Sequence, residues 1–114
     1  MTPLKLALKY MAAFFGEAPL ISMKDILAQD LVFTGPFFSF DSADEYMESL
    51  LADPITDAGY KLIHTYEDST SACLVYEFTK PGIKTTMSQL FEIEDEKIKR
   101  IELVFDSKAF SDIR

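Results

Sequence analysis

Apolar residues recur over the first fifteen positions with helical spacing. Leu4, Ala7, Leu8, Met11, Phe14 and Phe15 follow the i, i+3, i+4 rule and make one stripe, with Lys5 and Lys9 opposite it. Thr2 followed by Pro3 supplies a hydroxyl cap and a first-turn proline. Gly16 suits the left-handed residue that ends a helix. A shorter second helix is expected from Ser22, with Asp25 three residues on as a weak capping box and Ile26 and Leu27 as its apolar face. Leu31 to Thr34 reads as a short strand, stopped by Gly35-Pro36. Phe37, Phe38 and Phe40 crowd the next connection and must cover something apolar, as a core lid, a pocket wall or both. Ser42-Ala43-Asp44-Glu45 is a capping box opening a third helix. Its stripe is Tyr46, Met47, Leu50 and Leu51, and Asp53-Pro54 ends it.

From Tyr60 onward the period changes to two. Residues 60–67, 71–79, 84–93 and 98–106 are rich in β-branched and aromatic side chains and read as strands. The breaks between them are short, which predicts an antiparallel meander. The polar tail, residues 107–114, is expected to pack loosely. Helices followed by a curled sheet make this an α+β chain.

Register follows from the Pro81-Gly82 break. A tight hairpin there sets Phe78 opposite Thr85, Tyr76 opposite Met87 and Leu74 opposite Gln89, and opposed residues share a face. The face made by Ala72, Leu74, Tyr76, Phe78, Thr85, Met87, Gln89 and Phe91 is then mostly apolar. Ile101, Leu103 and Phe105 join it if the final turn carries a one-residue bulge. Without the bulge, Arg100 and Glu102 would point inward, at the cost of burying two charges. The other face holds Cys73, Val75, Glu77, Thr86, Ser88, Leu90, Arg100, Glu102 and Val104, a mixture suited to an interface. One register sets His64 opposite Cys73, a pair that would invite a nucleophile reading.

Composition adds mostly exclusions. The 114 residues suit a single domain, 1–114, and one core. A formal charge of −8 repels phosphate backbones, so nucleic acid and anionic membranes are not expected partners. Lys5 and Lys9 interrupt the apolar run from Leu4 to Phe15, which is therefore not expected to span a membrane, and no cleavage-like small-residue motif follows it to suggest a leader. A single cysteine and a single histidine leave no thiolate or imidazole cluster for zinc. Asp41, Asp44, Glu45 and Glu48 are read as solvated charges at a helix N-terminus rather than as metal ligands. No metal and no cofactor are expected, and the reducing cytoplasm is the expected compartment.

The succession of helix, Gly16-Glu17, short helix, Asp30-Leu31-Val32-Phe33, Gly35-Pro36, capped helix and meander resembles the SnoaL-like branch of the nuclear transport factor 2-like superfamily. The segments Gln89–Ile98 and Ile101–Asp106 resemble that family's closing hairpin and last strand. Glu96 stands where the family often has glycine. The resemblance implies a cone, a strongly bent sheet wrapped on helices around an elongated pocket. It also implies a homodimer through the outer sheet face. Relatives include ketosteroid isomerases, polyketide cyclases, epoxide hydrolases, dehydratases and members with no catalysis.

The same resemblance shows which catalytic positions are empty. The general-base position before Pro36 is Gly35. The inward carboxylic-acid position on the third meander strand is Gln89, and the donor tyrosine falls at Lys9 or Tyr10. The last-strand carboxylate of an epoxide-hydrolase-like site falls at Leu103. The expectation is a small-molecule pocket lined by Tyr10, Phe14, Phe38, Tyr46, Tyr76, Met87, Gln89, Leu103 and Phe105. Gln89 and Tyr76 would be its polar anchors, without a complete catalytic set. An isomerase, cyclase or hydrolase using His64 or Tyr10 as acid/base is the alternative, and a pure dimerisation or interaction module is another. A cavity of roughly 300 Å³ or more would suit the first reading.

Overall fold

The computed structural model describes residues 1–111. Helix α1 runs Pro3–Phe14, capped by the Thr2 hydroxyl, which accepts from the Lys5 amide. Gly16 follows at φ +82. Pro3, Leu6, Ala7, Tyr10, Met11 and Ala13 are its buried residues. The expected second helix is a 3₁₀ helix, Leu20–Asp25. Ser22 lies inside it and donates its hydroxyl to the Pro19 carbonyl, so it caps nothing. Strand β1 begins directly afterwards and covers Leu27–Thr34, longer than the alternation suggested. Leu27 therefore belongs to the sheet. Strand β2 is the two-residue pair Ser39–Phe40. Helix α2, Ala43–Ala52, is capped by the Ser42 hydroxyl, with Asp44 and Glu45 in its first turn. Tyr46, Met47 and Leu50 are buried, but Leu51 is exposed, because it lies on the side of α2 turned from the sheet.

Strands β3 Gly59–Glu67, β4 Ser71–Lys80, β5 Ile83–Glu94 and β6 Lys97–Val104 form the meander. The six-stranded sheet has the order β2-β1-β6-β5-β4-β3 and is mixed, since β1 runs parallel to β6. The β4–β5 register pairs Phe78 with Thr85, Tyr76 with Met87 and Leu74 with Gln89, as the Pro81-Gly82 turn predicts. On the next hairpin Gln89 faces Leu103 and Phe91 faces Ile101. The parity shift sits between Glu92 and Ile93, inside the strands. The turn itself stays tight on Asp95 and Glu96, at φ 52 and 65. Ile101 and Leu103 thereby join the inner face, while Arg100 and Glu102 stay outside and pair with each other.

The inner face packs on α1 and α2. Leu74, Phe91, Ile98 and Ile101 are fully buried there with Leu6, Met11, Met23 and Leu31. Residues Lys108–Ser111 form a short helix, α3. The tail's expected looseness does not hold up to there: Phe110 packs on Phe37, Phe78 and Phe105 at 5.5, 5.9 and 5.0 Å between ring centroids. Residues 112–114 lie outside the described residues. No helix among the described residues is long and apolar enough to cross a membrane.

Candidate functional site

The concave side of the sheet encloses a cavity of about 230 Å³, open at one side. All nine residues expected to face a pocket line it: Tyr10 and Phe14 from α1, Phe38 before β2, Tyr46 from α2, Tyr76 from β4, Met87 and Gln89 from β5, Leu103 from β6 and Phe105 beyond it. Period two explains the sheet members, because Tyr76, Met87, Gln89 and Leu103 alternate inward on neighbouring strands. Phe91, also inward, fills space instead and packs edge-on against Tyr10 at 5.2 Å.

Four polar side chains meet inside this apolar shell. Tyr10 and Tyr46, 36 residues apart in sequence, share a hydrogen bond between their hydroxyls. Tyr76 donates to Gln89 Oε1 at 2.8 Å. Tyr10, Tyr46, Tyr76 and Gln89 are each at most 3% exposed. Burial pushes the hydroxyl pKa of all three tyrosines up, because a phenolate there would lose its hydration. For Tyr10 the neighbouring Tyr46 adds to the rise, and a hydrogen bond from Gln89 opposes it. The hydroxyls therefore stay protonated near neutral pH. They can donate to a ligand, but they are poor bases.

A count of the hydroxyl protons defines what the tyrosines offer. Three hydroxyls carry three protons. The Tyr10–Tyr46 bond uses one and the bond to Gln89 uses another. One tyrosine proton of the Tyr10–Tyr46 pair remains for an acceptor in the cavity, whichever of the two donates.

Sequence reasoning missed the open edge. Ser49 and Asp53, near the end of α2, and Ile55 beyond it line the cavity and are exposed, as are Pro36 and Phe37. Among the described lining residues Asp53 is the only ionisable one besides the tyrosines. Its one sequence signal was the Asp53-Pro54 helix stop. Phe33, Phe40, Phe78 and Phe110 complete the aromatic wall.

Three of the placements considered do not hold. His64 lies outside the cavity wall, exposed on β3. A bulge at Ile63 makes His64 face Val75 rather than Leu74, which moves it to the outer side of the sheet. Tyr66 is the residue facing Cys73, so the Cys73–His64 pair does not form. Thr85 is inward by register, but it sits near the Pro81-Gly82 turn and does not reach the cavity. At the empty base position, a Cβ on Gly35 would stand 3.2 Å from the Phe33 ring, so a side chain there would require that ring to give by a few tenths of an ångström. Lys9 is exposed, and Tyr10 takes the inward place on α1. Among the described residues no three His, Cys, Asp or Glu side chains group closely enough to hold a metal ion.

Neither a protein-family model nor a curated protein matches this chain. Solved structures do. A nuclear transport factor 2-like protein of unknown function from Cytophaga hutchinsonii superposes with a TM-score of 0.82 at 22% identity, over 97% of this chain and 96% of that one. An LEH-like epoxide hydrolase from M. tuberculosis gives 0.75 at 15% identity, over 95% and 85%. A protein described as a candidate isomerase of the SnoaL-like family, from Agrobacterium tumefaciens, gives 0.72 at 13% identity, over 91% and 97%. The chain has the nuclear transport factor 2-like fold, an α+β cone, and its structural neighbours are nuclear transport factor 2-like and SnoaL-like proteins. At these identities the likeness defines the fold and leaves the chemistry to the site.

Proposed function

We propose that this chain is a SnoaL-like binding domain that takes a small, mostly apolar ring compound with one acceptor oxygen into the cone. The observation that carries this reading is the single uncommitted tyrosine proton inside an enclosure of phenylalanine, leucine and methionine. A ligand carbonyl or hydroxyl would accept it, with the ring against Phe14, Met87 and Leu103. The cavity is larger than the engineered sites of about 150 Å³ that hold benzene and smaller than drug-sized pockets of roughly 300 Å³ and up. One or two rings suit it. An isomerase, cyclase or hydrolase built on Tyr10 lacks a buried base in this wall, and with His64 outside, binding without turnover fits better. The cytoplasm suits the half-buried free thiol of Cys73.

Titrating para-ethylphenol and cyclohexanone into isotope-labelled protein tests the reading. Saturable shift changes confined to Tyr10, Tyr46, Gln89 and their neighbours are expected. Absence of saturation with both compounds up to their solubility refutes it.

The outer sheet face supports a second reading, a homodimer. Val104 and Tyr66 are 63% and 59% exposed there, beside half-buried Val75 and Leu90. Four of its charges already pair within the chain, Arg100 with Glu102 and Lys84 with Glu77, which lowers the cost of covering those four. Light scattering should give twice the chain mass for the wild type and the chain mass for Leu90→Lys. A wild-type monomer at high micromolar concentration overturns it.

A further inference from the structure

The described rim of the cavity carries a charge of one sign. Among the described residues that line it there is no lysine, arginine or histidine, and Asp53 is the only one of them ionised at neutral pH. Asp53 terminates α2, where its backbone amide bonds the Ser49 carbonyl. Its carboxylate has no hydrogen-bond or ion-pair partner among the described residues. The C-terminal end of a helix adds partial negative charge at the same place. Two rings line the same cavity while largely exposed, Phe37 at 50% and Phe38 at 65%. Phe37 is held edge-on by Phe105 and Phe110, at 5.3 and 5.5 Å.

An unpaired carboxylate, a helix C-terminus and exposed aromatic faces all favour a cation, and all disfavour a carboxylate or phosphate. At the inner end the Tyr10–Tyr46 pair favours an acceptor oxygen. We infer that the cavity selects small aromatic amines, with the protonated nitrogen at the rim by Asp53 and an oxygen at the tyrosines. This inference rests on the binding reading above and names its ligand class.

Three probes share one ring and differ in charge: tyramine, para-ethylphenol and para-hydroxyphenylpropionate. Their affinities are read by ligand-observed resonance or calorimetry for the wild type, Asp53→Asn and Asp44→Asn. Asp44 lies in the first turn of α2, so its replacement removes an equal charge at the other end of the helix. That end is about 13 Å away, beyond the screening length in ordinary salt. Tyramine should bind the wild type about threefold or more tighter than para-ethylphenol, the strength of a solvent-exposed ion pair, and the anionic probe should bind weakest. Asp53→Asn should narrow the order, whereas Asp44→Asn should keep it at full width. If para-ethylphenol binds but charge makes no difference, or if both variants behave alike, the amine inference fails and the binding reading stands. If no probe binds, the binding reading itself falls.

Discussion

Raising the pH from about 8 to about 11 should destabilise this protein through its buried tyrosines. An unfolded tyrosine titrates near pH 10, whereas burial holds Tyr10, Tyr46 and Tyr76 above that value in the native state. Below about pH 10 both states keep the proton, and stability is unaffected by these groups. Above it only the native state keeps the proton, so the unfolded state binds fewer and stability falls as pH rises. The loss is about 1.4 kcal/mol per tyrosine per pH unit. At about pH 11 the three together remove about 4 kcal/mol, a large share of the roughly 5–15 kcal/mol that holds a domain folded. Tyr60, pushed up to about 12 by partial burial and by its hydrogen bond to Glu17, acts in the same direction. Lysines lose their charge over the same range and deepen the net charge of −8, so the background also slopes downward. The comparison that isolates the tyrosines is therefore between variants. Urea midpoints at half-unit pH steps should fall less steeply for Tyr46→Phe and for Tyr76→Phe than for the wild type, each by about 1.4 kcal/mol per pH unit. Equal slopes in wild type and both variants would refute the argument, whatever the variants' stability at neutral pH.

Two further outcomes follow from single contacts. Gln89→Leu leaves the Tyr76 hydroxyl without its acceptor at 3% exposure; denaturant unfolding should show a loss of about 1–3 kcal/mol, and a neutral result would mean that Tyr76 has another partner. Glu96→Gly removes a left-handed non-glycine residue from the β5–β6 turn; it should raise stability by about 1 kcal/mol even though the amino terminus loses its ion pair with Glu96, and a loss would place the value of this turn in that ion pair.

Much of the cavity's wall was legible because side-chain alternation is local. Once Pro81-Gly82 closes a tight hairpin, the inward set Leu74, Tyr76, Phe78, Met87, Gln89 and Phe91 follows from counting, and the cost of burying Arg100 and Glu102 demands the bulge that brings Leu103 inward. Capping chemistry likewise marked Thr2 and Ser42, since each hydroxyl bonds an amide three residues away. Counting could not place His64. A single extra residue at Ile63 reverses the parity of the rest of β3. Nor does alternation say that β3 is an edge strand, exposed along Lys61–Glu67, because that depends on strand order.

The sequence by itself determined the α+β class, the caps, the meander and the inward half of β4 and β5, all of which depend on neighbours a few residues apart. The tertiary structure alone decided that Tyr10 meets Tyr46, that β1 pairs with β6, that Phe110 closes on Phe37 and that Asp53 stands at the rim. Those contacts join segments whose separation along the chain leaves no periodic signal. They form only when α1 and α2 are pressed together on the curved sheet by the burial of their shared core.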